Sequence, residues 1–258
     1  MALIEYEVKG AIAILTVNRP KAMNALNSDV LKELRDTLDA VDLNTIRCLI
    51  ITGAGNKAFV AGADIGQMSK ASREEGRAFS REGNETMRKV ETFPIPIIAA
   101  INGVALGGGC ELAMSCDIRL AAENALFAQP EAGLGITPGF GGTQRMARLI
   151  GIGKAKEMNY TCRNMKAPEA LEVGLVQAVY PAEELMAQAE KMANRIAGNA
   201  PIAVRMCKKA INEGMQVDMD KAMDVEVDCI SECFATKDQQ EAMAAFLEKR
   251  KPAPFQNC

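Results

Sequence analysis

The first 60 residues carry apolar side chains in two different periods. Two β-rich runs, residues 4–8 and 11–17, stand close enough together to predict a hairpin. A segment that Ser28 or Asp29 can cap then repeats apolar residues at the period of a helix: these are Val30, Leu31, Leu34, Leu38 and Val41. The continuous apolar run 48–51 predicts a buried strand. Strand, helix and strand in this order indicate a parallel sheet covered by helices, the pattern of an α/β protein.

The same elements recur further along the chain. Residues 69–92 are polar with scattered apolar positions and predict a helix, and the apolar run 97–101 predicts a second buried strand. This strand leads into a glycine-rich turn at 107–109, after which we expect a short helix to open at Cys110 and Glu111. Ligands of α/β sheets bind beyond the carboxyl ends of the strands. The turn is therefore a candidate binding site, together with the small apolar segment 58–65.

Beyond Gly142 the pattern is mostly helical, with one further strand predicted at 175–179. The predicted helices before residue 198 are 143–150, 154–161, 168–173 and 182–197, and those after it are 201–213, 218–234 and 237–249. Helices without strands cannot extend a sheet. We therefore predict a core over residues 1–197 and a helical region over 198–258, whose methionines serve core filling or subunit packing.

The amino-acid composition limits which side chains can act in catalysis. The chain of 258 residues contains no histidine, which excludes Ser-His-Asp and Cys-His catalysis and histidine-ligated metal sites. Glu, Asp, Lys, Tyr and Cys remain as general acids and bases. The formal net charge of −3 lacks the basic excess of a nucleic-acid-binding protein.

The cysteine spacing and the N-terminal segment indicate the cellular compartment of the protein. The eight cysteines show no paired CxxC motif, so we expect reduced thiols and no metal site. The opening MALIEYEVKG is neither secretory nor transit-like, and no apolar run reaches the roughly 18 residues that span a bilayer. These features predict a cytoplasmic protein without a membrane segment.

The glycine turn is the strongest candidate for catalysis. A strand that feeds glycines into a helix start leaves backbone N–H groups unpaired, and such groups favour a developing negative charge. Glu111 lies at this helix start, and Glu131 follows in a turn containing Pro130. Two carboxylates near such amides could move protons. The alternative from these residues alone is a tight turn without a ligand and a glutamate that only complements the helix dipole.

Five segments carry a specific resemblance that spans nearly the whole chain. They are NRPKAMNAL (18–26), FVAGADI (59–65), NGVALGGGCEL (102–112), QPE with the following GITPGFGGT (129–143), and AFLEKRK (245–251). Together they resemble the crotonase (enoyl-CoA hydratase/isomerase) superfamily. The resemblance implies a crotonase (ClpP-like) spiral of ββα units with a C-terminal helical trimerisation region.

The resemblance also implies an activity and its catalytic residues. The reaction is reversible syn addition of water to a short-chain trans-2-enoyl-CoA, giving a 3-hydroxyacyl-CoA. Backbone amides of Ala63 and Gly108 form the oxyanion hole, Glu111 holds and deprotonates the water, and Glu131 protonates the α-carbon. No cofactor or metal is implied, because coenzyme A is part of the substrate.

The remaining implied contacts concern coenzyme A and assembly. Lys21, and Phe246 with Lys249 from a neighbouring subunit, correspond to adenine and phosphate contacts, although each lysine could equally be an ordinary surface charge. Further implied substrate-binding positions are Ala22, Ala61, Asp64, Ile65 and Gly139. A tail that completes another subunit's site requires a homo-oligomer, a trimer or a dimer of trimers.

Two other functions stay open at this point. A Δ3,Δ2-enoyl-CoA isomerase of the same fold usually keeps one acidic residue, so the presence of both glutamates favours a hydratase. Some superfamily relatives bind RNA, but the acidic balance of this chain and its lack of aromatic-spaced basic patches argue against that role.

Overall fold

Pairs of strands that divide between two sheets build the core of this molecule. The structure, a computed structural model, describes residues 2–258. The strands are β1 (Ile4–Lys9), β2 (Ile12–Val17), β3 (Cys48–Gly53), β4 (Ala58–Val60), β5 (Ile97–Ile101), β6 (Val104–Leu106), β7 (Ile118–Ala122), β8 (Leu126–Ala128), β9 (Met165–Lys166) and β10 (Ala178–Tyr180). Six of them form one sheet in the order β1-β2-β3-β5-β7-β10, and four form a second sheet in the order β4-β6-β8-β9.

The larger sheet confirms the predicted hairpin and parallel sheet. β1 and β2 are antiparallel, with Ile4 opposite Val17, and every other neighbour in this sheet is parallel. Only Ile4 of β1 is buried, as expected of an edge strand, whereas every residue of β3 and β5 is buried. The last strand begins at Ala178, three residues later than predicted, because the buried Leu175 and Val176 lie in the loop before it.

Helices cover both sheets and complete the predicted spiral of ββα units. They are α1 (Ser28–Asp39), α2 (Ile65–Met68), α3 (Arg73–Glu91), α4 (Gly108–Ser115), α5 (Gly142–Ile150), α6 (Ile152–Thr161), α7 (Ala167–Glu172), α8 (Leu185–Ala197), α9 (Pro201–Gly214), α10 (Met219–Phe234) and α11 (Lys237–Leu247). In three successive units the first strand joins the larger sheet, the second joins the smaller sheet, and a helix follows. The units are β3-β4-α3, β5-β6-α4 and β7-β8-α5.

Several predicted helix starts were wrong, by one to four residues. The side chain of Asn27, rather than Ser28 or Asp29, caps α1 by accepting a hydrogen bond from the Val30 N–H. Helix α4 begins at Gly108 instead of Cys110, and all eight of its residues are buried. This burial is tight: a Cβ on Gly109 would overlap the backbone of Val60, so α4 lies directly against the smaller sheet.

Two of the C-terminal helices, α9 and α10, present an apolar surface. α9 and α10 pack against each other, and we call the side chains that they leave exposed the C-terminal apolar face: Ile211, Met215, Met219, Met223, Val227, Ile230 and Phe234. Lys208 links α9 to the larger sheet. Its buried ammonium group donates to the carboxylate of Asp117 at 2.7 Å and to the Ile95 carbonyl oxygen at 3.1 Å. The division into regions 1–197 and 198–258 stays a prediction. Within residues 2–258, no helix has the length and apolar character needed to cross a bilayer.

Candidate active site

The smaller sheet, rather than the larger one, positions the main cavity. β4, β6 and β8 are parallel neighbours, so their carboxyl ends meet at one edge. The chain leaving these strands supplies Ala63, then Gly107 and Gly108, then Glu131, and all four residues line a cavity of about 910 Å³. Glu111 lines it as well. The glycine turn and the segment after β4 therefore line one cavity.

Glu111 is held rigidly at the floor of this cavity. Its side chain is 1 % exposed, and its Oε1 accepts hydrogen bonds from the backbone N–H groups of Phe140 at 2.8 Å and Gly142 at 2.6 Å. Burial raises the pKa of Glu111 to about 6, although the hydrogen bonds from the two backbone amides and the positive charge of Arg145 oppose that rise. The carboxyl group is thus poised to exchange a proton near neutral pH.

Glu131 faces the same cavity from a different setting. It opens a 3₁₀ turn, Glu131–Leu134, directly after Pro130, and its Oε2 has no hydrogen-bond partner within residues 2–258. Burial, with 9 % of the residue exposed, and the negative charge of Glu111 raise the pKa of Glu131 to about 7. Glu131 Oε1 occupies the space that a Cβ on Gly107 would need, which explains why this turn contains glycine.

Two backbone amides lie free beside the carboxylates. In the backbone pairing with Leu26, Gly62 accepts and Asp64 donates, so the amide of the residue between them, Ala63, is left over. Its nitrogen lies 3.3 Å from the position that a Cβ on Gly108 would occupy. No backbone oxygen of residues 2–258 accepts a hydrogen bond from the N–H of Ala63 or Gly108. Because helix α4 begins at Gly108, its dipole adds to the attraction for an anion at this point.

Several residues that support the glutamates received no role from sequence. Phe140 and Gly142 supply the amides that hold Glu111. Arg145 donates to the Phe140 carbonyl oxygen at 3.0 Å and to Glu91 at 2.9 Å, and so braces that backbone. Gln129 is fully buried, and neither polar atom of its amide has a partner within residues 2–258. The glycine run that ends at Gly142 was the available signal, but it did not reveal which side chain the loop contacts.

Known proteins resemble this chain over nearly its whole length. Residues 7–257 match the family described as enoyl-CoA hydratase/isomerase. The chain belongs to this family. It is 54 % identical over 252 residues to a short-chain-enoyl-CoA hydratase of Clostridium acetobutylicum, covering 97 % of both chains. It is 55 % identical over 250 residues to a crotonyl-CoA hydratase of Syntrophomonas wolfei, covering 96 % of this chain and 95 % of that one.

Solved structures of the enoyl-CoA hydratase/isomerase family have the same fold. The crystal structure of an enoyl-CoA hydratase from Bacillus anthracis superposes with a TM-score of 0.94 at 42 % identity, covering 99 % of this chain and 100 % of that one. An enoyl-CoA hydratase subunit from Geobacillus kaustophilus also gives a TM-score of 0.94, at 39 % identity, with 99 % and 98 % covered. The predicted crotonase fold is confirmed.

The other predicted binding residues divide into two groups. Ala61, Ile65 and Gly139 line the cavity together with the glutamates. Asp64 does not line it, because its carboxylate pairs with Arg19 at 3.1 Å and caps α2.

Four more predicted contacts lie outside the cavity of a single chain: Lys21, Ala22, Phe246 and Lys249. Lys21 and Ala22 belong to a 3₁₀ turn, Pro20–Ala22, in which Lys21 is exposed. Phe246 is 83 % exposed near the end of α11, and Lys249 follows that helix. Their contact with coenzyme A stays a prediction. Within residues 2–258 no cluster of three acidic, cysteine or histidine side chains could hold a metal ion.

Proposed function

We propose that this protein catalyses the reversible hydration of short-chain trans-2-enoyl-CoA thioesters to 3-hydroxyacyl-CoA. One observation carries the proposal: two buried glutamates with raised pKa values face one cavity beside two unpaired backbone amides. The names of the relatives from Clostridium acetobutylicum and Syntrophomonas wolfei support the substrate class.

The amides account for activation of the thioester. Water adds to the β-carbon of a conjugated thioester only if the oxygen of the resulting enolate is stabilised. The N–H groups of Ala63 and Gly108 stabilise that oxygen, and a single donor of this kind is typically worth about 10²–10³ in rate. Glycine at 108 lets the thioester approach the backbone closely.

The two carboxyl groups then divide the proton transfers. In hydration, ionised Glu111 takes a proton from the water as its oxygen bonds to the β-carbon, and protonated Glu131 gives its proton to the α-carbon. The pair keeps one proton throughout, and exchange with solvent returns that proton from Glu111 to Glu131. In dehydration Glu131 removes the α-proton and Glu111 protonates the departing hydroxyl group. Acid–base catalysis by a positioned group contributes about 10²–10⁴ in rate.

We further propose that binding of coenzyme A requires a homo-oligomer, a trimer or a dimer of trimers. The C-terminal apolar face supports this assembly, because large exposed apolar patches mark protein contacts. Phe246 and Lys249 of one subunit, with Lys21 of the next, bind the adenine and phosphates. The reaction needs no cofactor or metal beyond the substrate's own coenzyme A, and we place the protein in the cytoplasm.

An absorbance assay tests the activity and separates it from isomerisation. Purified protein with crotonyl-CoA and a metal chelator should remove the absorbance of the conjugated thioester. A Δ3,Δ2-isomerase would instead leave crotonyl-CoA unchanged and create that absorbance from 3-butenoyl-CoA. This second pattern, or no change with either substrate, would overturn the proposed hydration.

A further inference from the structure

A buried glycine inside a long helix marks an unusual contact next to the cavity. Gly83 lies within the 19-residue helix α3, where glycine is less favourable than alanine. A Cβ at this position would overlap the ring of Phe140. Gly76, in the same helix, has open space around the corresponding position. The glycine at 83 is therefore required by the aromatic ring and not by the helix.

The ring of Phe140 is fixed on three sides. Besides Gly83, it meets the start of α4, because its Cδ2 lies 3.3 Å from the position of a Cβ on Gly108. The ring of Phe79 packs edge-on against it, with centroids 5.2 Å apart and planes at 69°. Phe140 is 3 % exposed, and both rings line the main cavity. A ring held in this way cannot swing aside without displacing α3 or α4.

The position of the ring relative to the reacting atoms follows from the backbone. Phe140 donates its own N–H to Glu111, and its ring flanks Gly108, one of the two oxyanion donors. If the thioester oxygen lies at Ala63 and Gly108 and the β-carbon lies at Glu111, the acyl carbons beyond the β-carbon point toward that ring. This step rests on the proposed function.

We propose that the Phe140 ring, seated in the space left by Gly83 and braced by Phe79, is the wall that sets the acyl-chain length accepted by this site. A chain of four carbons ends before the wall, whereas longer chains must displace a packed aromatic side chain. In a tight pocket, one extra methylene group typically lowers kcat/KM by about 10–200-fold.

Rates across a substrate series test the wall. The ratio of kcat/KM for the eight-carbon to the four-carbon trans-2-enoyl-CoA should rise by about tenfold or more in Phe140→Ala. Phe79→Ala should raise it less, by about threefold, because it removes only the brace. Gly153→Ala, a small change at a helical position outside the cavity with nothing within 4 Å of the added atom, should leave the ratio unaltered. Phe140→Leu serves if the alanine variant does not fold.

Binding of unreactive analogues separates this inference from the proposed activity. Dissociation constants of butyryl-CoA and octanoyl-CoA measure the chain-length preference of the site even if crotonyl-CoA is not hydrated. The wild type should bind the shorter chain more tightly, and Phe140→Ala should reverse or abolish that preference. Equal preferences in the wild type and in a well-folded Phe140 variant would overturn the inference.

A double-mutant cycle tests the contact with Gly83. Gly83→Ala should lower the melting temperature of the wild type but not of Phe140→Ala, since the smaller side chain leaves room for the added methyl group. Additive effects of the two substitutions would show that the ring does not occupy that space.

Discussion

The two glutamates of the site face one cavity from contrasting surroundings. Glu111 extends from the fully buried helix α4, and two backbone amides hold one of its oxygens. Glu131 lies on a single 3₁₀ turn, and its Oε2 has no partner within residues 2–258. The pKa of Glu111 is raised to about 6 and that of Glu131 to about 7. Burial raises both pKa values, but the hydrogen bonds from Gly142 and Phe140 oppose the rise at Glu111, whereas the charge of Glu111 adds to the rise at Glu131.

This difference suits a division of labour. A carboxylate that is ionised and fixed by amides can hold a water molecule in one place and accept its proton. A carboxyl group that is protonated near neutral pH, with an oxygen left unpaired, can deliver its proton to carbon. The contrast therefore agrees with a base at Glu111 and an acid at Glu131 in the direction of hydration.

Removing either acidic group should have the largest effect. Glu111→Gln and Glu131→Gln keep the side-chain shape but cannot exchange the proton, so each should lower kcat by about 10²–10⁴. The exposed Glu172 offers a matched control, because Glu172→Gln changes the same charge away from the cavity. Near-normal turnover of crotonyl-CoA in either cavity variant would contradict the assigned roles.

Disturbing the support of Glu111 alone should cost less. A Cβ on Gly142 would lie 2.8 Å from Glu111 Oε1 and 2.6 Å from Gln129 Nε2. Gly142→Ala should therefore displace the carboxylate and lower kcat by about 10–100-fold, as misplacement of a catalytic group does. Gly153→Ala is its control, since that helical glycine has nothing within 4 Å of the added atom. Equal kcat in the two alanine variants would show that the position of Glu111 is not critical.

Replacing Arg145, which supports the backbone of Phe140, should have the smallest effect, and that effect should appear in the pH profile. For the wild type, kcat/KM for hydration should fall below pH about 6, where Glu111 becomes protonated, and above pH about 7, where Glu131 loses its proton. The positive charge of Arg145 lowers the pKa of Glu111, so Arg145→Gln should raise that pKa and move the acidic limb to higher pH. We expect a loss of about two- to fivefold at pH 6, equivalent to less than one pKa unit.

Arg145→Lys distinguishes charge from bracing at this position. Lysine keeps the positive charge but cannot reach both the Phe140 carbonyl oxygen and Glu91 in the same fork geometry. In Arg145→Lys the acidic limb should therefore lie close to that of the wild type, whereas kcat at the optimal pH should be lower than in the wild type. An unshifted acidic limb in Arg145→Gln would show that this charge does not act on the catalytic base.

Sequence reasoning located the glutamates but not the sheet that brings them together. Apart from the short β10, the strands of the larger sheet have five or six residues, enough to show a pattern, and every residue of β3 and β5 is buried. In contrast, β4, β6 and β8 have three residues each, too few to reveal a period. These strands pair with each other only in the folded chain, so the geometry of the cavity had to come from the structure.

The support of the site was hidden for a related reason. Phe140 and Gly142 contact Glu111 across 29 and 31 residues of sequence, and no local pattern specifies which amide turns toward which carboxylate. The glycines of the loop were visible, but their contacts were not. Conversely, Lys21, Phe246 and Lys249 were proposed from resemblance, and a single chain does not bring them to the cavity.

The stereochemistry of water addition tests the central claim most directly. If Glu111 activates the water and Glu131 protonates the α-carbon from the same side of the substrate, hydration of crotonyl-CoA in D₂O must place the hydroxyl group and the deuterium on the same face. Nuclear magnetic resonance of the isolated 3-hydroxybutyryl-CoA should then show a single diastereomer, the product of syn addition. An anti product, or an equal mixture of the two, would contradict the account.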